Sequence, residues 1–255
     1  MKKVFKILGI AIGLLVVALA ILGFAVFSGL QGSGAGPSLG PGIDRVPGFS
    51  GVYLLDAGNG QWALIDAGSD KTGAAIVTAL QAQHATPDNV VAIFITHAHS
   101  DHDAAITLFP KATVYAMKRE VPIAAGQEPF NGPIFRLFGG HNTNPFTVTH
   151  PLDDGEKVMA GNLEITAFAV PGHTPGTGAY LANGVLFTGD ALQIKSNQQI
   201  IGPSAVFSTD RAQGEASLKR LGQNLQSGGA DVKFIATSHT GTQAGLQRLL
   251  ALGGT

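Results

Sequence analysis

Four side chains of metal-ligand type fall within six consecutive residues of this sequence: His97, His99, Asp101 and His102. They follow a continuous apolar run at residues 90–95, which is typical of a buried strand. In an extended segment residues two apart project to the same side, so His97 and His99 can share one ion. Asp101 and His102 are then free to face a second ion. Imidazole and carboxylate are ligands of zinc, iron and manganese, so the spacing predicts a metal site.

Three further ligand-type residues stand alone, each just after another predicted strand. His173 lies between two Pro-Gly pairs, which fix the backbone in a tight loop, and Asp190 and His239 each follow an apolar run. A single histidine after a strand is more often a hydrogen-bonded surface residue. Because the placement recurs, and because five of the chain's eight histidines fall in these motifs, we interpret all three residues as part of one site. We interpret His84 and His150 as ordinary surface residues.

The elements that position these residues follow from the hydrophobic pattern. Turn residues predict a hairpin, and helical spacing alternates with short apolar runs along the rest of the chain. The predicted strands are residues 51–56, 61–66, 90–95, 112–115, 163–170, 178–181, 185–188 and 232–236, and the predicted helices are residues 71–83, 209–225 and 243–252. Many strands with few helices indicate an α/β sandwich and not a strict βαβ repeat.

Residues 122–144 form a long stretch rich in Gly and Pro that shows no clear periodicity. Such a segment is typical of a functional lid or an insertion. Its candidate contacts with a substrate are Phe130, Phe135, Phe138 and His141. Apolar residues in a long loop also commonly pin the loop to the core, so both interpretations stay open for these four.

The N-terminal 30 residues have the pattern of a membrane segment. Residues 7–30 carry no charge and follow three lysines at positions 2, 3 and 6. As a helix rising about 1.5 Å per residue, this stretch would exceed a hydrocarbon core of roughly 30 Å. We predict a retained anchor at residues 1–30 that places the body outside the cytoplasm, with a cleaved signal peptide as the alternative. A Gly/Ser/Pro-rich linker is predicted at residues 31–43, before a folded domain at residues 44–255.

Composition excludes several classes of protein. The chain has no cysteine, so neither a disulfide scaffold nor a thiolate metal site is available. Without the three N-terminal lysines, 13 basic residues face 17 acidic ones, a net charge of −4 that argues against nucleic acid as a partner. With 45% hydrophobic and 13% charged residues, the chain has ample material for a folded core.

The motifs together resemble those of the metallo-β-lactamase-fold hydrolase superfamily over essentially all of residues 44–255. The family's H-x-H-x-D-H motif corresponds to residues 97–102, and its later histidine, bridging aspartate and final histidine correspond to His173, Asp190 and His239. Its Asp-Gly element after the second strand is matched by Asp66-Ala67-Gly68. The resemblance implies a four-layer αββα sandwich with the metals at one edge of the two sheets.

The resemblance also implies a role for each residue. His97, His99 and His173 would hold metal 1, while Asp101, His102 and His239 would hold metal 2. Asp190 would bridge the two ions. Asp66, together with a neighbouring hydroxyl at Thr96 or Ser100, would support the imidazoles from behind without binding a metal. The expected cofactors are two Zn²⁺ ions, with iron or manganese as alternatives.

The expected chemistry is hydrolysis of a small-molecule substrate by a metal-bridging hydroxide. Two cations lower the pKa of a shared water to about 7 and polarise the scissile bond, and Asp101 and Asp190 are the catalytic carboxylates. An ester, thioester, lactone or related bond is expected. A β-lactam is less favoured because true β-lactamases do not carry an aspartate at the position of Asp190. An iron-dependent persulfide dioxygenase-like enzyme and a non-catalytic metal-binding module remain alternatives.

Overall fold

The computed structural model describes residues 12–14, 16, 17, 23 and 38–252. The chain divides into two units, residues 1–31 and 32–255, and both large sheets lie in the second. Among the described residues, no helix is both long and apolar enough for a membrane crossing. Apart from the few positions named above, the predicted membrane segment lies outside the described residues, as do most of the linker and the last three residues.

The first sheet has six strands in sequential order. Its first three strands pair antiparallel, and the next three are added in parallel. Its members are β1 (Ile43–Val46), β2 (Val52–Gly58), β3 (Gln61–Ile65), β4 (Val90–Phe94), β5 (Thr113–Met117) and β6 (His150–Leu152). The buried β4 and the turn between β2 and β3 are the features that the sequence pattern predicts most directly.

The second sheet also has six strands, in the order β14-β13-β10-β9-β8-β7. All its neighbours pair antiparallel except β10 and β13, which are parallel. Its members are β7 (Lys157–Ala160), β8 (Leu163–Ala169), β9 (Gly178–Ala182), β10 (Val185–Gly189), β13 (Phe234–Thr237) and β14 (Thr242–Ala244). A separate two-stranded hairpin consists of β11 (Gln193–Ile194) and β12 (Ile200–Ile201).

Helices pack on the outer face of each sheet. Within residues 38–252 the α-helices are α1 (Ala74–Ala82), α2 (Val121–Ala124), α3 (Pro133–Phe138), α4 (Arg211–Ser227) and α5 (Gln247–Leu250). Ile76 and Leu80 of α1 join a core cluster with the first sheet, and Leu218 and Leu221 of α4 join another with the second. A third cluster fills the space between the sheets. The predicted α/β architecture with two packed sheets is therefore confirmed. The three clusters lie between successive layers, which follow the order helix, sheet, sheet, helix.

Two buried tyrosines in the inter-sheet core connect the sheets to the ligand-bearing loops. The hydroxyl of Tyr53, on β2, donates to the carbonyl of Thr237 at 2.7 Å. The hydroxyl of Tyr180, on β9, donates to the carbonyl of Ile95 at 2.7 Å. Each acceptor lies two residues before a histidine of the predicted metal site. Burial of a tyrosine is favourable when its hydroxyl finds such a partner.

The C-terminal helix predicted at residues 243–252 is wrong in extent. Residues Thr242–Ala244 form β14, which pairs antiparallel with β13, and only Gln247–Leu250 is helical. Gly245 separates the two elements with a φ of 67°, a left-handed conformation that a continuing helix cannot include. Pairing with β13 therefore overrides the helical spacing of the apolar residues.

The segment at residues 122–144 is less irregular than the sequence suggests. It contains most of α2 and the whole of α3, and further along Asn142 donates to the side chain of Asp103 at 2.8 Å. Asn144 donates to the carbonyl of Asp103 at 3.0 Å. The end of this segment is thus fastened to the residue that follows the H-x-H-x-D-H motif.

Candidate metal centre

The predicted ligand residues meet where strands of both sheets end. His97, His99, Asp101 and His102 follow β4 of the first sheet. His173 follows β8, Asp190 follows β10 and His239 follows β13, all in the second sheet. Their ligand atoms form three overlapping groups, each lying within 4.8 Å: His97, His99 and His173; His97, His102 and Asp190; and Asp101, His102 and His239. The structure therefore brings together all seven residues that the motifs single out.

Three imidazole nitrogens face one another in the first group. Nε2 of His173 lies 3.1 Å from Nε2 of His97 and 3.0 Å from Nδ1 of His99. All three rings are buried, and burial holds the pKa of His97 and His173 well below the usual range and lowers that of His99 to about 3. The rings are therefore neutral and offer lone pairs. A proton on His173 could satisfy only one neighbour, whereas a cation satisfies all three.

The group of Asp101, His102 and His239, called the second group below, combines two imidazoles with a carboxylate. Oδ2 of Asp101 lies 3.2 Å from Nε2 of His239 and 3.6 Å from Nε2 of His102. Asp190 lies between the groups: its carboxylate oxygens are 3.7 Å from Nε2 of His102, 3.8 Å from Nε2 of His173 and 3.5 Å from Nε2 of His239. This is the position that a bridging ligand needs.

The charge balance of the second group also fits a cation. Burial alone would lower the pKa of His102, but the charges of Asp101, Asp66 and Asp190 outweigh it and raise the pKa to about 10. Its Nε2 is buried without a hydrogen-bond partner among the described residues. A buried nitrogen without a partner, facing carboxylates, is costly unless something positive occupies the space. The residues present therefore fit a pair of divalent cations.

Asp66 contacts His102 of this group through Nδ1, the ring nitrogen that does not face Asp101 and Asp190. Its Oδ2 lies 2.8 Å from Nδ1 of His102, and its carboxylate also accepts from the backbone N–H of Thr96 at 2.7 Å and from the hydroxyl of that residue at 2.9 Å. The Thr96 hydroxyl in turn lies 3.1 Å from Nδ1 of His97. Asp66 adopts a left-handed φ of 60°, a conformation that aspartate tolerates better than most residues. Ser100, the other hydroxyl named from the sequence, is exposed.

The remaining imidazoles are oriented by groups that the sequence does not identify. Nδ1 of His239 lies 2.8 Å from the carbonyl of Phe49, which can only accept, so this nitrogen carries the proton and Nε2 faces the site. Nδ1 of His173 lies 3.0 Å from the hydroxyl of Ser208. Loop residues such as Phe49 and Ser208 carry no local sequence signal, because only the fold brings them to a ligand.

Glycine at position 172 allows the His173 loop to pack closely on α4. Gly172 has a φ of 149°, and a Cβ there would collide with the backbone of Gly214 on α4. The N–H groups of Thr209 and Asp210 donate to the carbonyls of His173 and Gly172 at 2.9 and 2.8 Å. Asp210 is also the N-cap of α4, where its side chain accepts from the backbone N–H of Gln213 at 2.9 Å. The backbone of the His173 loop is thus held by the start of a helix.

Aromatic side chains border the first group. The ring centroid of His99 lies 4.5 Å from that of Phe130 and 5.0 Å from that of Phe135. The ring centroid of Phe207 lies 6.2 Å from that of Phe135. Phe138 is 78% exposed and His141 is also exposed, and neither makes a recorded ring contact with the ligands among the described residues. Of the four candidates for the pocket wall, Phe130 and Phe135 therefore adjoin the site.

Glu120 is a buried acid near the site that no sequence motif singles out. It lies at the end of a short 3-10 turn, Lys118–Glu120, and is completely buried. Burial raises its pKa to about 7, against the lowering effect of its hydrogen bonds.

The two histidines predicted as ordinary surface residues behave as such: His84 is exposed, and His150 pairs with Glu156 at 3.1 Å.

Comparison with known proteins gives a consistent picture. A family model described as metallo-beta-lactamase superfamily matches residues 45–239. Among curated relatives, the hydroxyacylglutathione hydrolase of Salmonella paratyphi A is 28% identical over 156 residues, which cover 59% of this chain and 51% of the relative. That of Vibrio cholerae serotype O1 is 29% identical, over 59% of this chain and 50% of the relative. The chain spans about half the length of the curated relatives it matches.

Solved structures share the same fold. A metallo-beta-lactamase family protein from Thermus thermophilus is 25% identical with a TM-score of 0.63, covering 83% of this chain and 78% of that one. The BLEG-1 B3 metallo-beta-lactamase is 23% identical with a TM-score of 0.61, covering 81% and 95%. At this identity the second likeness concerns the fold alone.

Proposed function

The chain belongs to the metallo-beta-lactamase superfamily, and on that premise we propose that it is a metal-dependent hydrolase that uses two cations to cleave an ester, thioester, lactone or related bond of a small molecule. The observation that carries this proposal is the convergence of five histidines and two aspartates on one place, with Asp190 between the two groups. Metal 1 would be held by His97, His99 and His173, and metal 2 by Asp101, His102 and His239.

The donor set favours zinc, because imidazole nitrogen with a few carboxylate oxygens suits Zn²⁺, while iron and manganese accept the same ligands. When bound, two such cations supply Lewis acidity that lowers the pKa of a water and stabilises negative charge in the transition state. The protein's own contribution is to fix the ligand geometry and to control where water enters.

Asp101 and Asp190 are the residues that can handle protons at this site. Their side chains are 29% and 20% exposed, whereas the histidine ligands are almost completely buried. Water therefore reaches the site on the side of the two carboxylates. A carboxylate oxygen there can orient a water and accept its proton, and can later return the proton to the leaving group. We propose both as catalytic residues.

The acyl part of the substrate is proposed to be apolar. Phe130 and Phe135 border His99, and Phe49, which is 47% exposed, packs edge-on against His239 at 5.1 Å. Apolar walls around a few polar groups are typical of small-molecule sites. Because the matched relatives are hydroxyacylglutathione hydrolases, an acyl thioester is the first substrate class to examine.

The test is a metal and activity measurement on the purified protein. We expect two zinc ions per chain, hydrolysis of some member of a panel of thioesters, esters, lactones and β-lactams, and loss of turnover on chelation or in His99→Ala. His84→Ala, at an exposed histidine outside the site, should leave both properties unchanged. A metal-loaded protein that hydrolyses no member of the panel would contradict the proposal, and iron content with oxygen consumption would select the dioxygenase-like alternative.

We also propose that the enzyme works outside the cytoplasm, anchored by residues 1–30. The support is the uncharged run at residues 7–30 behind three lysines. Fusing alkaline phosphatase to the C-terminus should give an active reporter in a bacterial host if the body is exported. An inactive reporter, with a cytoplasmic green fluorescent fusion that is bright, would contradict the location without touching the chemistry.

A further inference from the structure

The carboxylate of Glu120 is completely buried, and the chemistry proposed above does not use it. It lies 22 residues after Ala98 and 56 residues before Gly176, so only the fold brings these three positions together. A buried carboxylate is costly unless several donors surround it, which makes its surroundings informative.

Every recorded hydrogen bond of this carboxylate reaches a loop that carries ligands. Oε1 accepts from the backbone N–H of Ala98 at 2.7 Å, between His97 and His99. Oε2 accepts from the hydroxyl of Thr174 at 2.7 Å and from the backbone N–H of Gly176 at 3.1 Å. The two oxygens therefore join two loops that come from different sheets.

The second loop approaches Glu120 as closely as a backbone can. A Cβ at position 176 would collide with the backbone of Arg119 and Glu120. Gly176 is needed for this close approach, since its own φ does not lie in the left-handed region. Thr174 is buried beside it, and its N–H is bonded to the hydroxyl of Thr177 at 2.8 Å. The arrangement is rigid on both sides of the carboxylate.

We propose that Glu120 is the positioning residue for the three histidines of metal 1, which it sets by joining the His97–His99 segment to the His173 loop. This inference rests on the proposed dinuclear site. Asp66 does the corresponding work for His102 by a direct contact with the imidazole, whereas Glu120 acts through backbone and hydroxyl groups. Asp66 also reaches His97 through the hydroxyl of Thr96, whereas only Glu120 bonds both the His97–His99 segment and the His173 loop.

The first test needs no metal. In the metal-free protein, hydrogen exchange should show the amides of Ala98 and Gly176 protected in the wild type and at least one of them exposed in Glu120→Gln, because glutamine offers one acceptor oxygen in place of two. Glu164→Gln, an exposed glutamate on β8, is the matched control for the loss of one charge and should leave both amides protected. Equal exchange of these amides in wild type and Glu120→Gln would overturn the proposal.

The second test titrates zinc into the same proteins by calorimetry. Loss of a supporting group around a ligand typically costs 10–100-fold in affinity, so Glu120→Gln should weaken one of the two zinc ions by about that factor and spare the other. The affected ion should be the one lost in His99→Ala. Equal weakening of both ions, or of neither, would contradict a positioning role.

Thr174 gives a second variant in case Glu120→Gln does not fold. Thr174→Val keeps the side-chain shape but removes the hydroxyl that bonds Oε2 and also lies 2.8 Å from the hydroxyl of Thr177, and it should weaken the same ion. Thr174→Ser keeps the hydroxyl and should restore it; failure of this rescue would count against the proposal. If the wild type bound no zinc, the proposed function would fail, and the exchange comparison alone would then decide on Glu120.

Discussion

The carboxylate of Asp66 lies 2.8 Å from Nδ1 of His102, a residue 36 positions further along the chain. This contact fixes which nitrogen of His102 carries a proton and leaves Nε2 facing Asp101 and Asp190. Because the same carboxylate also accepts from Thr96, one buried side chain orients both the imidazole of a proposed metal 2 ligand and the residue that precedes the motif.

Asp66→Asn should weaken zinc binding selectively. The amide keeps the shape of the side chain but loses the charge that holds the His102 proton on Nδ1. We expect affinity for one of the two zinc ions to fall by about 10–100-fold, with a smaller effect on the other. Calorimetric zinc titration measures this, with Asp70→Asn, an exposed aspartate nearby, as the control. Unchanged affinity for both ions would refute the assigned role.

Binding of the cations should release protons from the protein. In the metal-free site the pKa of His102 is raised to about 10, so at about pH 8 its imidazole is protonated and must lose a proton to bind metal. We expect a net release of protons, seen as a dependence of the binding enthalpy on the ionisation enthalpy of the buffer. Identical enthalpies in two buffers that do not bind zinc and differ in ionisation enthalpy would contradict a net release of protons.

The raised pKa of His102 also makes the stability of the metal-free protein depend on pH. Because the folded pKa of His102 lies above its usual value of 6.5, the protonated form contributes stability that is complete below that pH and declines as the pH rises through about 10. Urea titrations of the metal-free protein across this pH range measure the decline.

Burial of Glu120 makes the free energy of unfolding depend on pH. Burial raises its folded pKa from 4.5 to about 7, so between these values the unfolded chain ionises first and the wild type loses stability as the pH rises. Glu120→Gln has no such proton. The free energy of unfolding that this substitution costs should therefore be larger at about pH 5 than at about pH 8, in urea titrations of metal-free protein. A pH-independent difference would mean that the pKa is not raised.

Phe135→Ala should affect substrate binding more than chemistry. Phe135 borders His99, and removing its ring takes away part of the apolar wall, so we expect KM for an apolar acyl substrate to rise about tenfold with kcat nearly unchanged. Phe138→Ala is a matched control on the same helix, since that ring is 78% exposed. Equal effects of the two substitutions would argue against an acyl pocket beside His99.

Tyr180→Phe should destabilise the fold by about 1–3 kcal/mol, because the buried carbonyl of Ile95 loses the hydroxyl that donates to it. Tyr115→Phe is the control: that hydroxyl has no hydrogen bond recorded within the described part of the chain, and its loss should be nearly neutral. Chemical denaturation compares the two. Similar costs would indicate that the Tyr180 hydroxyl contributes little.

The site was more predictable from sequence than its supports. Four of its residues share one local motif, and His173, Asp190 and His239 each follow closely after a strand, so the apolar run before each residue marks its place. Glu120 follows Lys118 and Arg119 and has the local pattern of a solvated turn. Its importance arises from partners 22 and 56 residues away, which no local pattern reveals.

The same distinction explains the errors in the fold. The strands β4 and β10 are apolar over most of their length and are predicted nearly to the residue, because burial on both faces leaves a continuous run. The edge strands β1 and β6 lack such a run and were not predicted, and β14 was assigned to a helix. Strands of this kind exist because a neighbour offers unpaired backbone groups, a condition that lies outside their own sequence.

Each group of candidate ligands draws on both halves of the sandwich, since residues 97–102 follow the first sheet while residues 173, 190 and 239 follow the second. Bound ions would therefore link two layers that otherwise pack together mainly through apolar contacts. At a free zinc concentration of about 100 times Kd, such linkage adds about 2.7 kcal/mol to stability. A shortage of metal should then shorten the lifetime of the protein as well as abolish its activity.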